Sequence, residues 1–207
     1  TGTIAAGQSV VRTQNLPMPT DVSGTQRLVV QTDASGQIYE HHNENNNSAI
    51  DDHVITMIAP DLQVTNIQLP ALAFSGQPIT VTWTLTNNGT ADFTGTFSDR
   101  LSLSGDAQIG SDTFIADVPF TGALAINQTV QRSHTFTLDR NLSGIRWAVV
   151  FTDISGNVLE FPNEGNNAAI SAQPTNVTLQ FSDLTVEAVS APATAQSGAP
   201  IQVTCRV

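Results

Sequence analysis

Residues 149–170 read VVFTDISGNVLEFPNEGNNAAI, and residues 29–50 read VVQTDASGQIYEHHNENNNSAI. Aligned, Asp33 stands under Asp153, Glu40 under Glu160, Glu44 under Glu164 and Asn46-Asn47 under Asn166-Asn167, a constant separation of 120 residues. In each copy a hydrophobic run meets a Ser-Gly turn, a second short run and then a loop of acids and amides, the pattern of a β-hairpin with a polar tail. That tail is where the chain gathers chemistry.

Outward from the hairpin, the match continues without a gap from Thr1 over Thr121 to Ile50 over Ile170, and includes Arg12 with Arg132 and Ser23-Gly24 with Ser143-Gly144. Further on, PDLQVTNIQLPALAFSGQPITVTWTL from Pro60 matches SDLTVEAVSAPATAQSGAPIQVTCRV from Ser182 at a separation of 122. Self-similarity at a fixed period marks repeat architectures. Three pieces follow: residues 1–58 as the rear half of a repeat, 59–180 as a complete repeat, and 181–207 as the front strands of another. Both chain ends then fall inside repeats, so the reading is a window on a longer tandem array. The rear half is expected to be incomplete, or to borrow front strands from a neighbouring chain or from 181–207.

Within the complete repeat the apolar period is two. Ile79, Val81, Trp83 and Leu85 alternate with threonines in Pro78–Thr86, placing four large side chains on one face of a core strand. Strand-like runs also occur at Leu62–Ile67, Phe97–Leu103, Val130–Leu138, Ile145–Phe151, Asn157–Leu159 and Ala168–Leu179, separated by Asn-Gly and Ser-Gly turn signals. About seven short strands in some hundred residues, without helical periodicity, predict an all-β, immunoglobulin-like antiparallel sandwich. The Cys-Trp-Cys core of antibody domains is missing, so packing must hold the sheets together.

Composition narrows the functional classes. With 18 acidic residues, 7 arginines and no lysine, the net charge is −11; such a surface repels phosphate backbones and anionic membranes, which excludes nucleic-acid binding and favours divalent cations or basic partners. No apolar run approaches the ~18–20 residues of a membrane span. The start at Thr1 suggests processing or excision. Cys205, the one cysteine, has no internal partner and is expected as a buried apolar thiol on a core strand, in the position of Trp83. The scarcity of Cys and Lys beside abundant Thr, Ser, Asn and Gln fits a bacterial surface protein, and the absence of lysine rules out a Lys-Asn isopeptide bond in this window.

Taken together, P-D-L-x-V from Pro60, S-G-x-P-x-x-V-x-W-x-x-x-N-x-G over Ser75–Gly89, D-R-x-x-L-S over Asp99–Ser104 and T-D-x-x-x-x-V-x-E-x-x-N-E-x-N-N over Thr152–Asn167 resemble the CARDB domain, the cell-adhesion-related domain of bacterial extracellular proteins. The resemblance implies an immunoglobulin-like sandwich strung in tandem in secreted or surface-attached proteins. Cys205 in place of Trp83 departs from the pattern.

Asp153, Glu160, Glu164, Asn166 and Asn167, with Asp33, Glu40, Glu44, Asn46 and Asn47 in the first copy, offer hard oxygen ligands on a hairpin that folds the first back near the last. Calcium takes six to eight such oxygens, so one reading is a structural Ca²⁺ site stiffening the joint between repeats. The other is hydrogen bonding alone, with Asp153 accepting backbone N–H groups in an Asx turn. Asp106 and Asp112 read as solvated turn residues, with a calcium role as the alternative. Asp99 shares the parity of Phe97 and Leu101, and Arg132 that of Val130 and Phe136. Charges on apolar parity call for a partner, and an Asp99–Arg132 pair is expected, with Arg12 in the same role in the first repeat; the alternative is that both charges face water. His41-His42 replace Phe161-Pro162 and mark an exposed variable loop, the alternative being an adventitious Zn²⁺ site or a pH-sensitive loop. No nucleophile–base order or phosphate loop is present, and the chain is expected not to be an enzyme.

The function these readings support is a non-catalytic extracellular module of a stalk, adhesin or fibre. Its partners would be neighbouring repeats, identical chains joined by strand exchange, or an unknown surface ligand, with Asp51–Pro60 and Ser171–Ser182 as linkers. The alternative is an accessory glycan- or peptide-binding module of a secreted hydrolase, for which only Trp83, Trp147 and Tyr39 could supply an aromatic platform.

Overall fold

The alternation in PITVTWTLTN is what the sandwich is built on. The computed structural model describes residues 3–207, the side chain of Glu44 excepted. In chain order it contains β1 (Thr25–Gln26), β2 (Val29–Gln31), a 3-10 turn at Glu44–Asn46, β3 (Ser48–Ile50) and β4 (Ile55–Thr56). The central part follows as β5 (Leu62–Gln68), β6 (Leu72–Phe74), β7 (Pro78–Asn87), β8 (Phe93–Ser104), β9 (Thr113–Leu124), β10 (Thr129–Thr137), β11 (Gly144–Phe151), β12 (Ala168–Ile170) and β13 (Thr175–Thr178). A last pair, β14 (Ala188–Ser190) and β15 (Thr204–Arg206), ends the chain.

Two sheets face each other. One has the order β10-β7-β5; in the other, β6-β13-β11-β8-β9, β12 also pairs with β11. The single parallel pair, β13 with β6, closes one edge. The inward side chains of β7 are buried at every second residue, and Trp83, wholly inaccessible, packs with Leu62, Val81 and Leu85 of its own sheet against Phe93, Phe97, Leu101 and Val150 of the other. With one cysteine in the chain, the packing of these large side chains, and not a disulfide, holds the two sheets together. The fold is an immunoglobulin-like antiparallel sandwich, all-β among the described residues apart from the 3-10 turn.

Three expectations about elements are corrected. Asn157–Leu159 is not a strand, because the Asn157 and Val158 N–H groups bond to the Asp153 carboxylate rather than to a ladder. The run Ala168–Leu179 is two strands on one partner: β12 pairs with the C-terminal half of β11 and β13 with its N-terminal half. Thr175–Thr178 therefore belongs to the sandwich, which shortens the linker expected at Ser171–Ser182. Two strands went unanticipated. The twelve residues of β9 contain Pro119 and Gly122, tolerated because β9 is an edge strand that ladders only with β8.

The flanks repeat the local design without the packing. β2 and β3 pair Val29 with Ile50 and Gln31 with Ser48, the register of Val149 with Ile170 and Phe151 with Ala168. β1 and β4 pair Thr25 with Thr56, as Ile145 pairs with Asn176. β14 and β15 pair Ser190 with Thr204, as Gln68 pairs with Thr82. Burial differs sharply: Val29 is 56% exposed where Val149 is 4%, and Val203 is 55% exposed where Val81 is fully covered.

The polar end of the sandwich as a candidate site

Where β11 leaves the sheet, the chain turns at Asp153, which has a left-handed φ of 43°. Its Oδ1 accepts the N–H of Asn157 at 3.1 Å and its Oδ2 that of Val158 at 2.8 Å. Both oxygens serve the turn, in the manner of an Asx cap. Gly156 follows in the same left-handed region (φ 59°), which a residue without Cβ adopts at no steric cost.

Beyond the turn the chain drops Glu160 into the interior, where its side chain is fully buried. Oε2 accepts the N–H of Leu62 at 3.2 Å, tying the hairpin to the first residue of β5. The Glu160 N–H donates in turn to Oε1 of the exposed Glu164 at 2.7 Å. Asn166 Nδ2 donates to Asp61 Oδ1 at 3.0 Å, and the Asp61 N–H donates to Asn87 Oδ1 at 3.1 Å. Asn87 Nδ2 then bridges to the carbonyls of Ala91 and Leu124. This network joins four segments at one end of the sandwich.

Burial pushes the Glu160 carboxyl up to about 8 from the usual 4.5; the charges of Glu164 and Asp153 act in the same direction, while the Leu62 N–H and the Asn167 side chain oppose it. Three buried oxygens nearby have no hydrogen-bond partner: Glu160 Oε1, Asn167 Oδ1 and Thr152 Oγ1. Orphaned buried acceptors cost free energy, so this end is electrostatically unsatisfied. Among the described residues, however, no three His, Cys, Asp or Glu side chains are placed to hold a metal ion together. Of the expected ligands, both Asp153 oxygens are committed to backbone N–H groups, Glu164 Oε1 to the Glu160 N–H and Asn166 Nδ2 to Asp61, while Glu160 Oε1 and Asn167 Oδ1 are buried with no partner.

In the first copy the backbone geometry recurs. Asp33 has the same φ of 43° and accepts the N–H groups of Gln37 and Ile38 at 2.8 and 2.9 Å. The Asn43 N–H reaches the Glu40 carbonyl as that of Asn163 reaches Glu160. Glu40 and Asn47 are only half-buried there, and Asn46 is exposed; the side chain of Glu44 lies outside the described residues. At the variable position the rings of His41 and His42 lie 3.8 Å apart.

The expected ion pair is present. Arg132 Nε donates to Asp99 Oδ2 at 2.6 Å, and Trp83 Nε1 donates to the same oxygen at 2.9 Å. The guanidinium also donates to the Val118 and Pro119 carbonyls and lies over the Trp83 and Phe120 rings at 5.7 and 5.4 Å. Arg12 is exposed, since no residue of the chain occupies the Asp99 position in that copy. Cys205, expected to be buried, is also exposed: among the described residues β15 ladders with β14 alone. Asp106 and Asp112 are turn residues, capping the Gln108 and Gly110 N–H groups.

Asp61 and Asn87 belong to the site but were not singled out from the sequence. Asp61 alone left a mark, since Asp61-Leu62 recurs as Asp183-Leu184, but its role did not show in that recurrence.

An antiparallel sandwich with a hydrogen-bonded acidic hairpin at one end defines an immunoglobulin-like module. The CARDB family model matches residues 59–171, and the chain belongs to the CARDB family, a non-catalytic, adhesion-related domain family. Among solved structures it is similar to the CARDB domain of the PF1109 protein from Pyrococcus furiosus. The crystal structure of that domain in complex with di-metal ions matches at 20% identity over 58% of this chain and 90% of that one, with a TM-score of 0.44. Its solution NMR structure matches at 22% over 60% and 100%, with a TM-score of 0.45. A β-glucosidase from Listeria innocua in complex with glucose matches at 12% over 57% of this chain and 16% of its own, with a TM-score of 0.37. No curated protein matches the chain. No helix among the described residues is long and apolar enough to cross a membrane.

Proposed function

We propose that this chain is an extracellular structural and adhesive module that works as part of a tandem array of sandwiches. The observation carrying this reading is the pairing of one bonding pattern with two states of burial. Residues 29–50 and 183–207 keep the strand registers of the complete unit, yet expose the side chains that the complete unit buries. Such surfaces are half-cores that need a complement. Strand exchange between two identical chains, 181–207 of one against 1–58 of another, supplies part of it. That exchange lacks counterparts of β8 and of Thr113–Phe120, which carry Phe93, Phe97, Asp99 and Leu101. Consecutive repeats of one polypeptide supply them better.

Calcium is the finer part of the proposal. Glu160 Oε1, Asn167 Oδ1 and Thr152 Oγ1 are hard oxygens, buried and without partners, and a divalent cation would satisfy them while keeping Glu160 ionised. Asp61, Glu164 and Asn166 would then orient the loop around it. The test is thermal melting of a two-repeat protein with EDTA and with millimolar CaCl₂, alongside small-angle X-ray scattering. The array reading expects an extended particle whose length grows by one sandwich per repeat, and a midpoint raised by calcium. Side-by-side collapse of the repeats refutes the array, and an unchanged midpoint refutes the ion.

A further inference from the structure

Along β11 the side chains alternate between two environments. Ala148 and Val150 point into the core, whereas Trp147, Val149 and Phe151 lie on the outer face of the larger sheet. The first copy separates what the fold requires from what it does not. At inward positions, Leu28, Val30 and Ile38 stand where the complete unit has Ala148, Val150 and Val158, all apolar. At outward positions, Arg27, Gln31 and Ala34 become Trp147, Phe151 and Ile154. An antiparallel sheet carries polar residues on its solvent face without penalty, so the sandwich does not need this change.

The altered face forms a groove of about 490 Å³ lined by Phe114, Val149, Phe151, Ile154 and Ile109, with Asp112 at the rim. Phe114 and Ile109 are 57% and 49% exposed. Arg100 completes the wall, its guanidinium 5.3 Å from the Phe114 ring centre. Its charge is cancelled by a bidentate pair with Asp117 at 2.8 and 2.9 Å. Asp112 therefore leaves the rim negative, on a chain of net charge −11.

We infer that this groove is a docking site for an apolar peptide segment flanked by basic residues, presented by the protein to which the module adheres. The apolar lining takes aromatic or aliphatic side chains, and the acidic rim selects for Arg or Lys beside them. A second copy of the chain is a poor occupant, because two acidic surfaces without a lysine repel each other. The inference rests on the adhesive reading, to which it adds the chemistry of the partner.

The test uses the full chain labelled with ¹⁵N and the probe peptide acetyl-Arg-Leu-Phe-Leu-Arg-amide, with acetyl-Glu-Leu-Phe-Leu-Glu-amide and laminaribiose in parallel. The basic peptide is expected to shift the amide signals of Phe114, Val149, Phe151 and Ile154, and to bind more weakly as salt is raised. Phe151→Gln and Ile154→Ala install the residues of the first copy, and each is expected to weaken binding at least about tenfold with a dispersed spectrum retained. If Phe151→Gln loses its dispersion, Ile154→Ala decides the matter. Equal binding of both peptides, shifts confined to other surfaces, a response to the disaccharide alone, or concentration-dependent dimerisation through the groove overturns the inference. Loss of peptide binding with an extended multi-repeat particle removes the groove and leaves the array standing.

Discussion

Replacing Glu160 with Gln should change how stability depends on pH more than it changes stability itself. The Glu160 carboxyl is held near pKa 8, against 4.5 ordinarily, so the folded chain keeps a proton that the unfolded chain has released throughout the window between those values. Where the folded state binds more protons, stability falls as pH rises. Each unit is worth at most about 1.4 kcal/mol, and the whole window has an upper limit of about 5 kcal/mol; water entering the loop on ionisation should reduce this to about 3 kcal/mol. The contribution of Glu160 to stability should therefore be full below about pH 4.5, decline through neutrality and level off above about 8. Gln keeps the shape and an oxygen for the Leu62 N–H but has no proton to lose. Urea unfolding followed by fluorescence is suitable because Trp83 and Trp147 both lie in the complete sandwich. The wild type should lose about 3 kcal/mol between pH 5 and 8.5, and the variant should lose much less of it. A calcium-bound Glu160 would also flatten the wild-type curve in millimolar CaCl₂, without effect on the variant. Parallel wild-type and variant curves in EDTA would refute the account of this carboxyl.

Three further substitutions probe separate parts of the fold. Arg132→Met strands the buried Asp99 carboxylate and the Trp83 Nε1–H bond beside it, and should cost about 3–5 kcal/mol in urea unfolding; a loss under 1 kcal/mol would mean the pair is solvated. Asp153→Ala removes the acceptors of the Asn157 and Val158 N–H groups and should cost about 2 kcal/mol, with hydrogen exchange accelerating at those two amides before any other in the sandwich. Gly89→Ala would put a Cβ about 2.4 Å from the Ala59 carbonyl oxygen and 2.5 Å from Asp61 N. Because both neighbours are backbone, the melting temperature should fall as for a loss of about 1–3 kcal/mol.

What the sequence revealed depended on whether the physics was local. Alternation on β7 was legible because one face is buried and the strand period is two, so each side chain reports its face. Parity likewise exposed Asp99 and Arg132, whose charges were out of place on an apolar stripe and found each other across the sheets. β9 was hidden because Pro119, Gly122 and Asp117 break the pattern at a sheet edge, where a lost ladder bond is cheap. Asp61 and Asn87 were hidden for another reason: their role depends on Asn166 and Leu124, far away in the chain.

Burial is the property that no local pattern fixes, and the repeat isolates it. Val29 and Val149 are each followed by a valine and each pair with an isoleucine, yet only Val149 is covered, because only β11 has β8 beside it. The acid of the hairpin follows the same rule. Glu40 and Glu160 follow equivalent turns, and in the complete unit β5 lies against the hairpin, its Leu62 N–H meeting Glu160 Oε2, so that the second carboxyl is fully buried where the first is half-buried. Closure of the sandwich by β5 is therefore what places the acid of the hairpin in the interior.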